Sequence, residues 1–228
     1  MRKSKDLQLG LPFQQWGGRR KGAGRKPNGA RAGISHLARP DLAGRFPVHV
    51  TLRLRDGIPS LRTGQMHAAL RSCLAEANAQ ASKRGRGRVV HYSIMPNHLH
   101  LLWEARDGEA LSRGVQGLAT RIARAVNRVA DRSGKVFGDR YHARILKTPR
   151  EVRLALAYVL SNARRHGLVR GRTGEAWVDP YSSAAAFDGW RGPIAAPRSA
   201  VPVARARTWL LSVGWRRHGL LDPSTTPG

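Results

Sequence analysis

Two pairs of residues in this sequence have types and spacings that can do chemistry. The first is His98 and His100, in Met95-Pro96-Asn97-His98-Leu99-His100. The second is Tyr158 and Asn162, in Ala157-Tyr158-Val159-Leu160-Ser161-Asn162. On a strand, residues two apart leave the same face, so the two imidazoles stand side by side. A strand that only filled a core has no use for two imidazoles on one face. On a helix, residues four apart are neighbours, so the phenol and the amide lie one turn apart. Paired imidazoles are a candidate ligand set, although a His-x-His taken alone is more often structural or solvated.

The surrounding elements must hold these groups. Val89–Ala105 reads as a hairpin of two strands broken at Met95-Pro96-Asn97, because Pro and Asn favour a turn. On its second strand His98, His100, Leu102 and Glu104 share one face, and Leu99, Leu101 and Trp103 the other. Phe46–Arg55 reads as a first strand, with Val48, Val50, Leu52 and Leu54 alternating against His49, Thr51, Arg53 and Arg55. Leu61 to about Lys83 and Leu111 to about Asp131 have helical periodicity. The second of these carries a stripe of Arg121, Arg124, Arg128 and Arg132, with hardly any acid nearby. A short strand is expected within Gly134–Thr148. Thr148-Pro149-Arg150-Glu151 then has the form of a capping box with Pro at the first helical position. The helix it starts is expected to run to about His166, with Val152, Leu156, Val159, Leu160 and Ala163 inward and Tyr158 and Asn162 on its polar edge. The order strand, helix, strand, strand, helix, strand, helix predicts an α+β fold of ferredoxin-like type: an antiparallel sheet with helices on one face.

Charge selects the partner. The 228 residues hold 41 Lys and Arg against 14 Asp and Glu, a net +27. Such a balance calls for a polyanion, and nucleic acid is the natural one. The 41% hydrophobic content suffices for one moderate core plus tails. Residues 1–45 read as a basic disordered arm: Arg19, Arg20, Lys21, Arg25 and Lys26 stand among glycines, in the manner of arms that lie in a DNA groove. The single cysteine, Cys73, excludes an intrachain disulfide framework and a cysteine-based zinc site. No apolar run approaches membrane-spanning length and no signal-type segment opens the chain. The expectation is a cytoplasmic, nucleoid-associated protein.

Taken together, the paired-histidine strand after Met-Pro-Asn and the later Tyr-x-x-x-Asn helix resemble the single-tyrosine transposases of the HUH endonuclease superfamily. The likeness is nearest to the REP-associated tyrosine transposases and the short insertion-sequence transposases. It covers about residues 46–170, leaving 171–228 as a C-terminal extension with a Pro/Ala linker and a short helix. One departure is Ala163 where the family often has Pro. The resemblance implies that His98, His100 and Asn162 hold Mg²⁺ or Mn²⁺, and that Tyr158 is the nucleophile. It also implies a single-stranded DNA substrate next to a hairpin, cut through a covalent 5′-phosphotyrosine, and a homodimer. A phenol with a pKa near 10 needs a charged site to become nucleophilic, and a divalent ion polarises the scissile phosphate. Tyr141, in Asp139-Arg140-Tyr141-His142, competes with Tyr158 for that role. DNA contacts are expected from the arm, from Arg121, Arg124 and Arg128, and from Arg164 and Arg165. The alternative is a non-catalytic ferredoxin-like nucleic-acid binder derived from such a transposase. A hydrolase of small phosphates fits poorly, since a small substrate has no use for so many cations.

Overall fold

The computed structural model describes residues 40–168, 177–195, 197 and 199–225, leaving aside the side chains of 82–84. They belong to one compact unit, residues 34–228. The arm cations Arg19, Arg20, Lys21, Arg25 and Lys26 lie outside the described residues.

The elements follow in the order β1 (Val48–Arg53), α1 (Gly64–Arg84), β2 (Arg88–Ile94), β3 (His98–Glu104), α2 (Gly108–Val129) and β4 (His142–Ile145). The sheet order is β2-β3-β1-β4, with every pair antiparallel. This is the βαββαβ ferredoxin-like arrangement. Alternation decides which side is packed. Val48, Val50 and Leu52 of β1 and Leu99, Leu101 and Trp103 of β3 enter one core with Met66, Leu70 and Leu74 of α1 and Leu111, Val115, Leu118, Ile122 and Val126 of α2. Asp107 caps α2 by accepting from Ala110 N at 2.7 Å. Gly114 lies on the same buried stripe. A methyl group there would sit 2.7 Å from the Trp103 ring and against the Arg86 carbonyl, so the helix approaches the sheet only because no side chain intervenes.

Helices α1 and α2 occupy one face, as the pattern predicts. The next helix, α3 (Pro149–Leu160), takes the other. The capping box read from the sequence is present, with Glu151 N donating to Thr148 Oγ1 at 3.2 Å and Thr148 N donating to Glu151 Oε2 at 3.1 Å. Val152, Leu156, Val159 and Leu160 form a second core with Val90 and Leu102 of the sheet. The C-terminal residues complete that core through Phe187, Trp190, Leu210, Leu211, Trp215 and Leu221. They include a short helix, α5 (Trp209–Ser212).

Two buried carboxylates fasten this C-terminal layer. Glu104, at the end of β3, accepts from Arg207 N, Thr208 N and Thr208 Oγ1 at 2.8–3.0 Å. Asp179 takes the Arg62 guanidinium through two 2.8 Å bonds. Next to Asp179 the chain runs along β2, where Ile94 N donates to Tyr181 O and Ser183 N to Tyr92 O, both at 2.9 Å.

The helix expected to run from 149 to 166 is broken at Ser161. Its backbone (φ −110°, ψ 16°) ends α3 and starts a separate turn, α4 (Asn162–Arg165). The break moves Asn162 off the polar edge, where a continuous helix would put it, and buries it completely.

Candidate active site

The second sheet face is divided. Its Val90–Leu102 part is apolar and carries α3, while the part toward the β2–β3 turn is polar. Pairing sets Thr51 opposite His100, Arg53 opposite His98, and His142 opposite Thr51. Residues directly opposite on antiparallel strands share a face. His49, Thr51, Arg53, His98, His100 and His142 therefore occupy one surface beside α3.

The two histidines read from the sequence meet there. His98 Nε2 and His100 Nε2 are 3.0 Å apart. The remaining nitrogen of each ring is held from behind. His98 Nδ1 lies 2.8 Å from Asn97 Oδ1. His100 Nδ1 lies 3.0 Å from His49 Nε2 and 3.1 Å from Thr51 Oγ1. An amide oxygen only accepts, so His98 is protonated on Nδ1 and aims a bare Nε2 lone pair at its neighbour. The 3.0 Å gap suits a proton shared between the nitrogens. It suits equally well two ligands at right angles on an ion about 2.1 Å from each.

Burial keeps these rings neutral. It pushes the pKa of His98 down to about 4, helped by His166 and Arg53. His100 falls to about 2, through burial first and then the neighbouring His49, His98 and His166. His49 falls to about 4, again through burial first, then His142 and Arg144. Neutral imidazole is the form that ligates a cation.

Tyr158 reaches the same place from α3. Its ring meets His100 edge-on at a centroid distance of 5.1 Å and His49 at 5.8 Å. The Arg165 guanidinium stands 5.7 Å from the Tyr158 ring centroid. Asn162 is fully buried, and neither its amide nitrogen nor its amide oxygen has a hydrogen-bond partner among the described residues. A buried amide without partners is costly, so this side chain is equipped for a ligand. No group of three or more His, Cys, Asp or Glu with metal-holding geometry occurs among the described residues. A third protein donor to an ion at the histidine pair would have to be of another type, and the Asn162 amide is of that type.

The other tyrosines fall elsewhere. Tyr92 is buried in the first core, and Tyr141 packs against that same core. Tyr181 stacks on His67 at 4.5 Å under the Arg62 guanidinium. The expected DNA-contacting arginines divide into two groups. Arg164 and Arg165 lie on α4; Arg165 stands over the Tyr158 ring, while Arg164 donates to Trp177 O at 3.1 Å. Arg121, Arg124 and Arg128 line a groove between α1 and α2 with Arg86 and Arg113, on the far side of the sheet from the histidines. Arg121 is ion-paired to Glu76 at 3.1 Å and donates to Gln80 at 2.7 Å, so this stripe is less free of acid than the sequence implied. The sequence reading missed His49, Thr51 and Asn97 as partners of the pair. Their signal was faint: His49 and Thr51 alternate outward on β1, but only the strand register sets them beside His100.

A ferredoxin-like sheet here presents paired histidines to a tyrosine on the following helix. Residues 58–162 match the family model described as "Transposase IS200 like". Among solved structures, it is similar to a REP-associated tyrosine transposase bound to a REP hairpin. The identity is 18%, with 76% of this chain and 99% of that chain covered and a TM-score of 0.52, which establishes the shared fold. No curated protein matches. No helix among the described residues is long and apolar enough to cross a membrane.

Proposed function

We propose that this protein is a metal-dependent single-stranded DNA endonuclease and strand transferase acting at hairpin-flanked sites, with Tyr158 as nucleophile and His98, His100 and Asn162 as the metal-holding set. One observation carries the reading: two neutral imidazoles aim their Nε2 atoms at one point, with the Tyr158 ring packed on one of them. The family match and the hairpin bound to the structural relative support DNA as the partner.

In this reading the Tyr158 oxygen attacks a backbone phosphorus and gives up its proton. The phosphorus–O3′ bond breaks and the departing oxygen takes up a proton. The products are a 5′-phosphotyrosine and a free 3′-hydroxyl. Reversal of the step by another 3′-hydroxyl rejoins the strand and frees the tyrosine. A bound Mg²⁺ or Mn²⁺ supplies Lewis-acid polarisation of the phosphate. Arg165, beside the Tyr158 ring, lowers the cost of a phenolate and of the added charge on phosphorus. Arg164, the basic arm and the α1–α2 groove hold backbone phosphates away from the bond being cut.

The test is a denaturing gel of the protein with single-stranded hairpin DNAs, including hairpins flanking its own gene, and Mn²⁺ or Mg²⁺. A covalent adduct that needs metal and is lost in Tyr158→Phe and His100→Ala is expected. An adduct that survives Tyr158→Phe refutes the nucleophile. DNA binding with no cleavage of any substrate would favour the non-catalytic binder instead.

A further inference from the structure

We propose that His49 and Thr51, from β1, are positioning residues that clamp the His100 ring so that its Nε2 faces His98. The inference rests on the metal-holding role assigned above. His100 is nearly buried, at 5% exposure, and its Nδ1 has two partners, His49 Nε2 at 3.0 Å and Thr51 Oγ1 at 3.1 Å. For His100 to ligate through Nε2, its proton must sit on Nδ1, and that proton needs an acceptor. A neutral His49 offers a bare Nε2, and the Thr51 hydroxyl offers lone pairs. Both can also donate, so Nδ1 stays satisfied when a proton rather than an ion fills the gap to His98. The clamp therefore holds the ring in one orientation in either state.

Position on the sheet explains why β1 supplies these residues. Thr51 stands directly opposite His100, while His49 stands opposite Leu102. The His49 ring leans toward His100, with centroids 5.1 Å apart, and also touches Tyr158, at 5.8 Å. One side chain thus fills the corner between the ligand and the nucleophile. Asn97 does the equivalent for His98 through its 2.8 Å contact, so each imidazole has a partner that fixes its orientation. Partners of this kind typically alter metal affinity by about 10–100-fold when removed.

The experiment measures Mn²⁺ affinity of the full chain without DNA by electron paramagnetic resonance, alongside the metal-free melting temperature. His49→Phe keeps an aromatic ring beside Tyr158 but offers no acceptor, and Thr51→Val keeps the shape without the hydroxyl. The double variant is expected to bind Mn²⁺ about tenfold or more weakly with little change in metal-free melting. His49→Gln, which restores an acceptor, is expected to bind within about threefold of wild type. The clamp is overturned if the folded double variant binds like wild type, or if His49→Gln loses as much affinity as His49→Phe. The Gln and Phe single variants decide the matter should the double variant fail to fold. Retained Mn²⁺ binding by His100→Ala would instead overturn the metal-holding role of His100, a result distinct from failure of the clamp.

Discussion

Glu104 offers a sharp test of how the C-terminal layer is held. Its carboxylate is almost wholly buried and accepts from Arg207 N, Thr208 N and Thr208 Oγ1, with Arg88 Nε 3.8 Å away. Thr208 is the N-cap of α5, so the carboxylate anchors the start of that helix. Truncation by Glu104→Ala leaves two backbone N–H groups and a hydroxyl without their acceptor. At partly buried positions each costs about 1 kcal/mol, so the loss is about 3 kcal/mol. For a chain of this size that is a fall in melting temperature of about 6–12 °C. Glu104→Gln keeps one acceptor oxygen and loses the charge, a smaller loss of about 1 kcal/mol. Thermal denaturation gives both numbers. Hydrogen exchange should show protection lost first at the α5 amides and then in α3, which packs against the C-terminal layer. An Ala variant melting within about 2 °C of wild type, with α5 amides still protected, would refute the anchoring role.

The packed glycine makes a second prediction: Gly114→Ala places a methyl against the Trp103 ring and the Arg86 carbonyl and should cost about 1–3 kcal/mol, read by urea denaturation, despite alanine's better helix propensity. Acid should destabilise the fold through its neutral histidines. His91 is buried, lies 3.2 Å from Ser183 Oγ, and has its pKa pushed down to about 4 by burial. Below pH 6.5 the unfolded chain takes up a proton that the folded chain refuses. This stability is therefore complete above 6.5 and lost as pH falls toward 4, and a pH series of melts on His91→Phe should show a shallower acid limb than wild type. In the α1–α2 groove, Arg124→Ala and Arg128→Ala should each weaken hairpin binding uniformly across sequences and reduce the salt slope by about 1. Unchanged slopes in fluorescence anisotropy would remove the groove from the DNA path.

Local chemistry made much of this fold legible. β1 could be read because apolar and polar residues alternate, α3 because Thr148, Pro149 and Glu151 mark its start, and the β2–β3 turn because of Pro96 and Asn97. What escaped depends on distant partners. The C-terminal layer has weak periodicity, and it is held by Glu104 and Asp179, carboxylates whose partners lie 103 and 117 residues away. The break at Ser161 likewise carries no Gly or Pro to announce it. Its consequence is the inward turn of Asn162, which an uninterrupted helix would have left on the polar edge. For the site, residue types and intervals picked out His98, His100 and Tyr158, whereas the roles open to His49 and Thr51 emerge only from strand register.

The electrostatics of the site bear on when it can work. The chain carries a net +27; Arg53 and His166 border the histidine pair, with Arg144 beside His49 and Arg165 beside Tyr158. Such surroundings oppose any added positive charge. They help keep His98 and His100 neutral, which suits ligation, but they also disfavour a divalent ion arriving alone. A DNA backbone brings the opposite charge to the same place. On the proposed function, strand and ion therefore favour one another, and the coupling is reciprocal: DNA that seats a phosphate at the pair raises affinity for the ion as much as the ion raises affinity for that DNA. On that reading, a cationic protein with neutral histidines at its centre binds the ion without DNA and binds it more tightly once a strand is seated.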